Sequence, residues 1–384
     1  MNTQCSDGID AITHKLGFTC ADAPAVIRLS DPFGLANPTM PVLELLIVSG
    51  AAFALWWAVR RMRRDGDPVN LVLWCATVIY LLIIEPPLYF PNVFGVEQLI
   101  GPIFAHNIFT VQFMYDRLPL YIVALYPAMA TLAYEIVRSL GIFRSRGIVV
   151  GALCVGFVHQ CFYEVFDQLG PQLRWWAWNT DTPVNQPLLA SVPMSSVLLF
   201  ATIGPALLTA FTLLLAGRPA DSRRRIGASG LVLRTMAVAI LMPPALVVVN
   251  IPIALAQGDE PAGALRWAVY AVYMGVFAVT ALRALGTQMV SQRHTGDLSG
   301  DRPNLFVRVF GTVYLVVLAG LWGAALPDHL GGSGGISASG TPTGHLGYAA
   351  VCFVLAAVLT VAVSRRANPT TQEPNEPFTS EVAR

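Results

Sequence analysis

Nine apolar segments, each close to the length that crosses a bilayer, constrain the fold of this chain more than any other feature. A transmembrane helix needs about 20 mostly apolar residues. Of the 384 residues, 55% are hydrophobic and only 12% are charged, which is too little polar surface for a soluble globule of this size. The sequence therefore predicts an all-α fold, a polytopic transmembrane helix bundle. The nine predicted spans cover residues 40–59, 69–88, 118–139, 148–167, 191–216, 229–256, 267–287, 305–326 and 346–363.

The placement of the arginines predicts the orientation of the bundle. Short cytoplasmic loops carry an excess of basic residues. The loops after the odd-numbered spans contain Arg60, Arg61, Arg63, Arg64, Arg138, Arg144, Arg146, Arg218, Arg223 to Arg225, Arg283, Arg293, Arg302, Arg365 and Arg366. We therefore expect an outside N-terminus and a cytoplasmic C-terminus in a bacterial plasma membrane. A net charge of +1, with the arginines in short clusters, argues against a nucleic-acid partner.

The segments outside the bundle divide the chain into three regions. Residues 1–38 are predicted to form an extracytoplasmic N-terminal tail, 39–364 the transmembrane helical domain, and 365–384 a disordered cytoplasmic tail. Cys5 and Cys20 lie in the first region. They either form a disulfide that closes a short loop or remain free thiols, and their spacing alone does not decide between the two.

The fourth span carries a polar face that a lipid-facing helix does not tolerate. At about 100° per residue, His159, Tyr163 and Asp167 lie in one narrow sector, with Glu164 and its glutamine neighbours beside it. This face is predicted to point into the bundle. Its span is followed by a tryptophan cluster at Trp175, Trp176 and Trp178.

Several ionisable residues are predicted to lie at one depth, towards the outer leaflet. We assign Glu44, Glu85, His159, Glu164 and Asp167 as candidate catalytic residues, whereas Glu135 is expected to pair with Arg138 nearer the cytoplasm. Carboxyl groups that share a poorly solvated pocket can divide their roles, one donating a proton while another stays ionised. The alternative is that Glu164, Asp167 and Asp116 lie in the wet headgroup region and form ion pairs with Arg117 and Arg174.

Aromatic and polar residues near this level are candidates for binding a substrate. The set consists of His106, Arg117, Tyr163, Trp175, Trp176 and Trp178. The tryptophans are predicted to stack on an extended hydrophobic substrate, although aromatic residues also collect at membrane interfaces without any such role.

The sequence predicts neither a metal nor a cofactor. His159 with Glu164 or Asp167, together with His106 and Glu85, would supply ligands that iron, manganese or zinc accepts. However, no His-x-x-x-His or His-Glu-x-x-His pair is present. A Walker A loop, a nucleophile elbow and a dinucleotide-binding fingerprint are also missing from the sequence.

Residues from His159 to about Pro205 resemble polytopic carotenoid and isoprenoid hydratase-type membrane proteins. The resemblance consists of a span with His, Tyr, Glu and Asp, the pair Trp176-x-Trp178, and Val192-Pro193 at the start of the next span. It covers less than a fifth of the chain and assigns no residue a role. An actinobacterial-type membrane family fits the same features equally well.

Three functions follow as hypotheses. The first is an enzyme in the membrane that does acid–base chemistry on a lipid or isoprenoid substrate at the carboxylate and histidine site. The second is a proton-coupled secondary transporter that uses the same carboxylates as a relay. The third is a structural subunit of a membrane complex. The sequence identifies the lipid bilayer as a partner and leaves protein partners open.

Overall fold

The computed structural model describes residues 5–217, 226–256, 263–295 and 304–364. Within these ranges, nine helices are long and apolar enough to cross a membrane, and the protein is 71% helical. The prediction of a polytopic helix bundle is confirmed, while the orientation of the termini stays a prediction. The basic residues Arg218, Arg223 to Arg225, Arg302, Arg365 and Arg366 lie outside the described residues, as does the predicted tail 365–384.

The membrane-length helices follow the predicted spans closely. They are α2 (Thr39–Asp65), α3 (Val69–Tyr89), α5 (Leu120–Ser139), α6 (Ile142–Asp167), a π-helix (Ser196–Ile203) that continues as α7 (Gly204–Ala216), α8 (Ala228–Ala256), α9 (Ala264–Thr295), α10 (Thr312–Leu330) after a π-helical turn (Val307–Gly311), and α11 (Leu346–Ser364). Helix α6 begins six residues before the predicted span, but Gly147 interrupts its helical backbone at φ +79°. The predicted start at residue 148 coincides with this interruption.

Helices α5 and α6 form the centre of the bundle. In the most apolar 18-residue stretch of each helix, 83% of the residues are buried in α5 and 72% in α6. The corresponding fractions are 28% in α8 and 22% in α9. The two central helices pack against each other and against most of the other spans. The polar face of the fourth span is thus buried inside the protein, as predicted.

A cap covers one end of the bundle; we use this name for residues 5–38, 90–119 and 168–195. These segments precede α2, join α3 to α5, and join α6 to the π-helix, so they meet at the same end. Their elements are α1 (Asp7–Leu16), β1 (Ile27–Leu29), α4 (Glu97–Ile100), β2 (Phe104–His106), β3 (Val111–Phe113), β4 (Leu118–Pro119), β5 (Trp176–Trp178), β6 (Pro187–Leu189) and β7 (Val192–Pro193). The strands form three small sheets, in the orders β1–β3–β4, β2–β5 and β6–β7.

The N-terminal segment is held against the rest of the cap. A disulfide joins Cys5 to Cys20, which decides between the two alternatives for these cysteines. Ile12 and Leu16 of α1 pack against Ala105, which lies in the centre of β2. The segment that the sequence suggested as a tail therefore contributes to the cap's own small core.

Candidate functional site

A two-stranded ribbon separates the bundle interior from α1. Strands β2 and β5 are antiparallel, with Phe104 opposite Trp178 and His106 opposite Trp176. Successive side chains of a strand point to opposite faces. These four rings therefore share one face, while Ala105 and Ala177 on the other face contact α1. The aromatic face of the ribbon covers a cavity.

A glycine allows Trp176 to reach this position. A Cβ atom on Gly170 would lie 1.9 Å from the indole ring of Trp176. A side chain there would displace the ring, since real Cβ atoms do not approach other atoms so closely. Gly170 lies three residues after the end of α6 and thus allows the ribbon to pack closely against the helix that carries Asp167.

The covered cavity, which we call the upper cavity, offers a volume of about 40 Å³ to a molecule the size of water. Its polar lining comes from Glu85 of α3, Tyr126 of α5, Tyr163 and Asp167 of α6, and His106 of β2; its apolar lining comes from Phe104, Ile122, Leu125, Phe166, Trp176, Trp178 and Phe200. Phe200 and Trp178 are only half-buried. Part of the cavity's lining therefore reaches the surface of the protein.

Two carboxyl groups of the upper cavity each keep one oxygen unused. Oε1 of Glu85 accepts a hydrogen bond from the Tyr126 hydroxyl at 2.7 Å, and Oδ2 of Asp167 accepts one from the Ser196 hydroxyl at 2.7 Å. Within the described ranges, Oε2 of Glu85 and Oδ1 of Asp167 are buried and have no hydrogen-bond partner. Buried polar atoms normally have such partners. Acids from two separate helices thus present unsatisfied oxygens around one cavity.

Tyr121 lies near acidic groups of α2, α3 and α6. Its hydroxyl oxygen is 2.9 Å from Nδ1 of His106. The same hydroxyl is within electrostatic range of Asp167, Glu85 and Glu44. Acidic side chains from α2, α3 and α6 therefore lie around Tyr121, while their common depth in the membrane stays a prediction.

His106 is neutral at physiological pH. Its ring is 5% exposed, and burial lowers its pKa from 6.5 to about 3. Nε2 is buried and has no hydrogen-bond partner in the part of the chain that the structure describes. The neutral imidazole can therefore donate or accept a hydrogen bond in the cavity, depending on which nitrogen carries the proton.

A lower cavity, which offers about 30 Å³ to a molecule the size of water, adjoins the upper one. The two share Leu125, Tyr126, Tyr163 and Phe200, and the lower cavity extends to His159. Nδ1 of His159 lies 2.7 Å from the carbonyl oxygen of Ala201. Because a carbonyl can only accept, Nδ1 carries the proton, and Nε2 of the neutral ring is left as an acceptor.

The sequence around Pro205 explains why the Ala201 carbonyl is available to His159. In an α-helix, this carbonyl would accept from the N–H of residue 205, but proline has no N–H. The chain from Ser196 to Ile203 is instead π-helical. Gly156 of α6 brings the two helices close together, because a Cβ there would lie 2.5 Å from the Thr202 carbonyl oxygen.

Glu44 and Glu164 do not line either cavity. The Glu44 carboxylate accepts hydrogen bonds from the backbone N–H groups of Thr110 and Val111, at 3.1 and 3.3 Å. It therefore holds the chain between β2 and β3 against α2. Oε2 of Glu164 accepts from Nε2 of Gln168 at 2.8 Å, and its side chain faces Cys352 of α11.

Trp175 and Arg117 also lie away from the cavities. Trp175 is fully buried, and its Nε1 donates to Oγ1 of Thr39 at 2.9 Å. Arg117 contacts the Cys20 sulfur at 3.1 Å and lies over the Phe90 ring at 5.8 Å. Burial lowers the pKa of Arg117 to about 10, while the charge of Asp116 opposes this shift. Both residues stabilise the cap in this structure.

The predicted ion pairs give a mixed result. Glu135 pairs with Arg138 as expected, and Oε1 to Nε is 2.9 Å. Asn70 and Asn304 also donate to this carboxylate. In the cap, the Asp116 carboxylate pairs with Arg28 at 3.1 Å, although burial still raises the pKa of Asp116. Between residues whose positions are described, neither Glu85, Glu164 nor Asp167 forms a salt bridge.

The sequence analysis missed three hydroxyl groups of the site: Tyr121, Tyr126 and Ser196. Two of them are tyrosines in the first half of a predicted span, and that position was the available signal. No group of three or more His, Cys, Asp or Glu residues suited to a metal ion is found in the described ranges.

Comparisons with family models, curated proteins and solved structures found no match to this chain. Function is therefore argued from the geometry of the site.

Proposed function

We propose that this protein is an enzyme of the bacterial plasma membrane that does acid–base chemistry on a lipid or isoprenoid chain. In this proposal the cap lies outside and the cavities open at the depth of the outer leaflet. One observation carries it: Glu85 and Asp167 line the same aromatic cavity, and each has a buried oxygen without a partner.

The cavity suits proton transfer to an apolar molecule. An uncompensated charge in the hydrocarbon region costs about 2.5–3.5 kcal/mol on insertion scales. Carboxyl groups with no basic partner are therefore well placed to bind and release protons. Aromatic walls and a half-buried entrance at Phe200 and Trp178 suit a hydrocarbon chain that enters from the bilayer.

The resemblance to hydratase-type proteins suggests one balanced reaction. Asp167 would donate its proton to one carbon of an isolated double bond, and a water oxygen would bond to the other carbon. The Glu85 carboxylate would accept the proton that this water loses. Tyr126 and Tyr163 line both cavities, so their hydroxyls are positioned to pass protons between the site and His159. Asp167 thereby takes the donor role for which Glu164 was also a candidate.

Lipid analysis of cells that express matched variants tests this proposal. We expect Asp167→Asn and Glu85→Gln to reduce the protein-dependent change in the lipid extract, measured by mass spectrometry, by roughly 10²-fold or more. Glu164→Gln is the matched control, because this acid is buried in the same helix but lines neither cavity. Activity unchanged in the Asp167→Asn, Glu85→Gln double variant would contradict the proposal.

A proton-coupled transporter is the second candidate. The π-helix beside Pro205 supports it, because transporters often use interrupted helices near their binding sites. At the opposite end, however, the Glu135 carboxylate already has Arg138 and two asparagines as partners. Substrate flux that depends on a proton gradient in proteoliposomes, without chemical change of the substrate, would favour this candidate.

A further inference from the structure

The upper cavity is bordered by buried polar atoms of opposite kinds. Oε2 of Glu85, Oδ1 of Asp167 and Nε2 of His106 have no hydrogen-bond partner among the residues that the structure describes, and neither has Nε1 of Trp176. All four side chains line this cavity, and each is at most 5% exposed. Indole N–H can only donate, whereas an ionised carboxylate can only accept. A ligand that satisfies these atoms together must both donate and accept hydrogen bonds.

The contacts of Tyr121 show that these side chains surround one place. The Tyr121 hydroxyl oxygen is 2.9 Å from Nδ1 of His106, and it is within electrostatic range of Asp167 and Glu85. The ring centroids of His106 and Trp176 are 6.4 Å apart. Polar side chains from β2, β5, α3 and α6 therefore approach each other at one end of the cavity lining.

The size of the cavity suits water. A buried water needs roughly 10–15 Å³ of such space, so the 40 Å³ of the upper cavity holds about two or three waters. Polar cavities of this size bind ordered water through two to four partners, whereas purely apolar ones stay dry. A lipid hydroxyl has the same hydrogen-bonding chemistry as water, but the chain attached to it needs more space than this.

We propose that the upper cavity binds an ordered water between His106 and Trp176 of the cap and Glu85 and Asp167 of the bundle, and that this water is the one added to the substrate. The first statement stands on the geometry alone, and the second rests on the proposed function. His106 and Trp176 are then positioning residues for the water. The double bond would approach from the half-buried side of the cavity, and the product would be an alcohol whose oxygen comes from this site.

Radical footprinting detects a bound water of this kind. Brief X-ray irradiation splits water into hydroxyl radicals that oxidise adjacent side chains, and peptide fragmentation in a mass spectrometer locates the added oxygen. We would irradiate the full chain in maltoside detergent. Trp176 should be oxidised at least roughly tenfold faster than Trp175, because Trp175 is fully buried and lines neither cavity that could hold water. This comparison lies within the wild type and needs no variant.

A radical scavenger in the buffer separates bound water from bulk solvent. Phe33 of the cap is 95% exposed and reports radicals that form in the bulk. The scavenger should suppress oxidation of Phe33 and leave that of Trp176 largely unchanged, since a scavenger does not reach radicals formed inside the cavity.

Variants of the acids test which groups hold the water. Glu85→Leu combined with Asp167→Leu should lower oxidation of Trp176 severalfold, because apolar side chains replace two hydrogen-bonding groups of the cavity. Glu164→Leu is the matched control, since this acid of α6 lines neither cavity, and it should leave oxidation of Trp176 unchanged. Thermal unfolding of each variant verifies that the fold is retained.

Three outcomes would overturn the inference. Equal oxidation of Trp175 and Trp176 would exclude a water beside Trp176. Equal suppression of Trp176 and Phe33 by the scavenger would show that bulk solvent, and no bound water, supplies the radicals. After transfer into water enriched in oxygen-18, an unlabelled oxygen on Trp176 would indicate another hydroxyl, such as that of a lipid.

The same labelled water separates this inference from the proposed function. The oxygen of the lipid product should also carry oxygen-18. If Trp176 is oxidised as expected and the product carries no label, the water site stands and the proposed hydration is wrong. If the product is labelled while Trp176 is oxidised no faster than Trp175, the inference is wrong and the proposed function stands.

Discussion

Burial decides the charge of His106. Its ring lies against Tyr89, Phe104, Tyr121 and Trp176, with centroid distances between 5.3 and 6.4 Å. These surroundings stabilise the neutral imidazole relative to imidazolium, since no carboxylate is hydrogen-bonded to the ring in the described part of the chain. A neutral ring suits the apolar substrate that we propose for this cavity.

This environment predicts how stability depends on pH. In the unfolded chain the imidazole, with its ordinary pKa of 6.5, takes up a proton below pH 6.5, whereas the buried ring does so only near pH 3. Stability is therefore lost as the pH falls from 8 to 5, by about 2 kcal/mol from this group. His106→Phe should remove that part of the loss when unfolding is measured at both pH values.

The control is His14→Asn, which changes an exposed histidine of α1. Its stability should fall with pH as the wild type's does. If His106→Phe shows the same fall as the wild type, His106 is not held neutral by burial.

The sequence identified part of the site at the level of residues. Asp167, Tyr163 and His159 line the cavities. Their spacing of four residues places them on one face of the helix, and this spacing can be read from the sequence. Glu44 lies near the start of α2, as the predicted span implies, yet its carboxylate accepts hydrogen bonds from backbone N–H groups of a loop. The position of a residue along a span does not determine which way its side chain points. The sequence therefore could not predict that Glu44 binds a loop and does not line the cavity.

At the scale of elements, the π-helix leaves a backbone carbonyl free to orient the His159 ring. Pro205 leaves the Ala201 carbonyl without its helical donor, and His159 uses that carbonyl. The sequence analysis expected a helix from residue 191, but residues 187–189 and 192–193 pair as strands and the helix starts later. Strand pairing between short segments depends on tertiary contacts, which explains why the seven strands were not predicted.

Pro205→Ala tests this link. The new N–H can bond to the Ala201 carbonyl, so His159 should lose its partner and activity should fall roughly 10-fold to 100-fold. Thermal stability should be unchanged or slightly higher, since the new N–H can add one backbone hydrogen bond, which contributes about 0.5–1.5 kcal/mol. Activity and unfolding are measured on the same preparation.

Pro243→Ala is the matched control, because this proline lies inside α8 and lines neither cavity. It should retain activity. Full activity of Pro205→Ala would show that the interrupted helix does not serve His159.

At the scale of the whole molecule, the bundle and the cap depend on different information. Apolar length alone predicted the spans, since each must cross the same bilayer thickness. The cap depends on contacts far apart in the chain, such as β2 with β5 and the Cys5–Cys20 disulfide. The site lies where these parts meet, with acids from α3 and α6 beneath a ribbon from the cap.

An experimental map of the protein in lipid nanodiscs tests most directly whether this site receives a hydrocarbon chain. We expect continuous density that passes between Phe200 and Trp178 and ends beside Glu85 and Asp167. Two results would contradict the proposed reaction centre. One is a map in which Glu85 or Asp167 is bound to a basic side chain, and the other is a cavity filled by ordered water with no chain density.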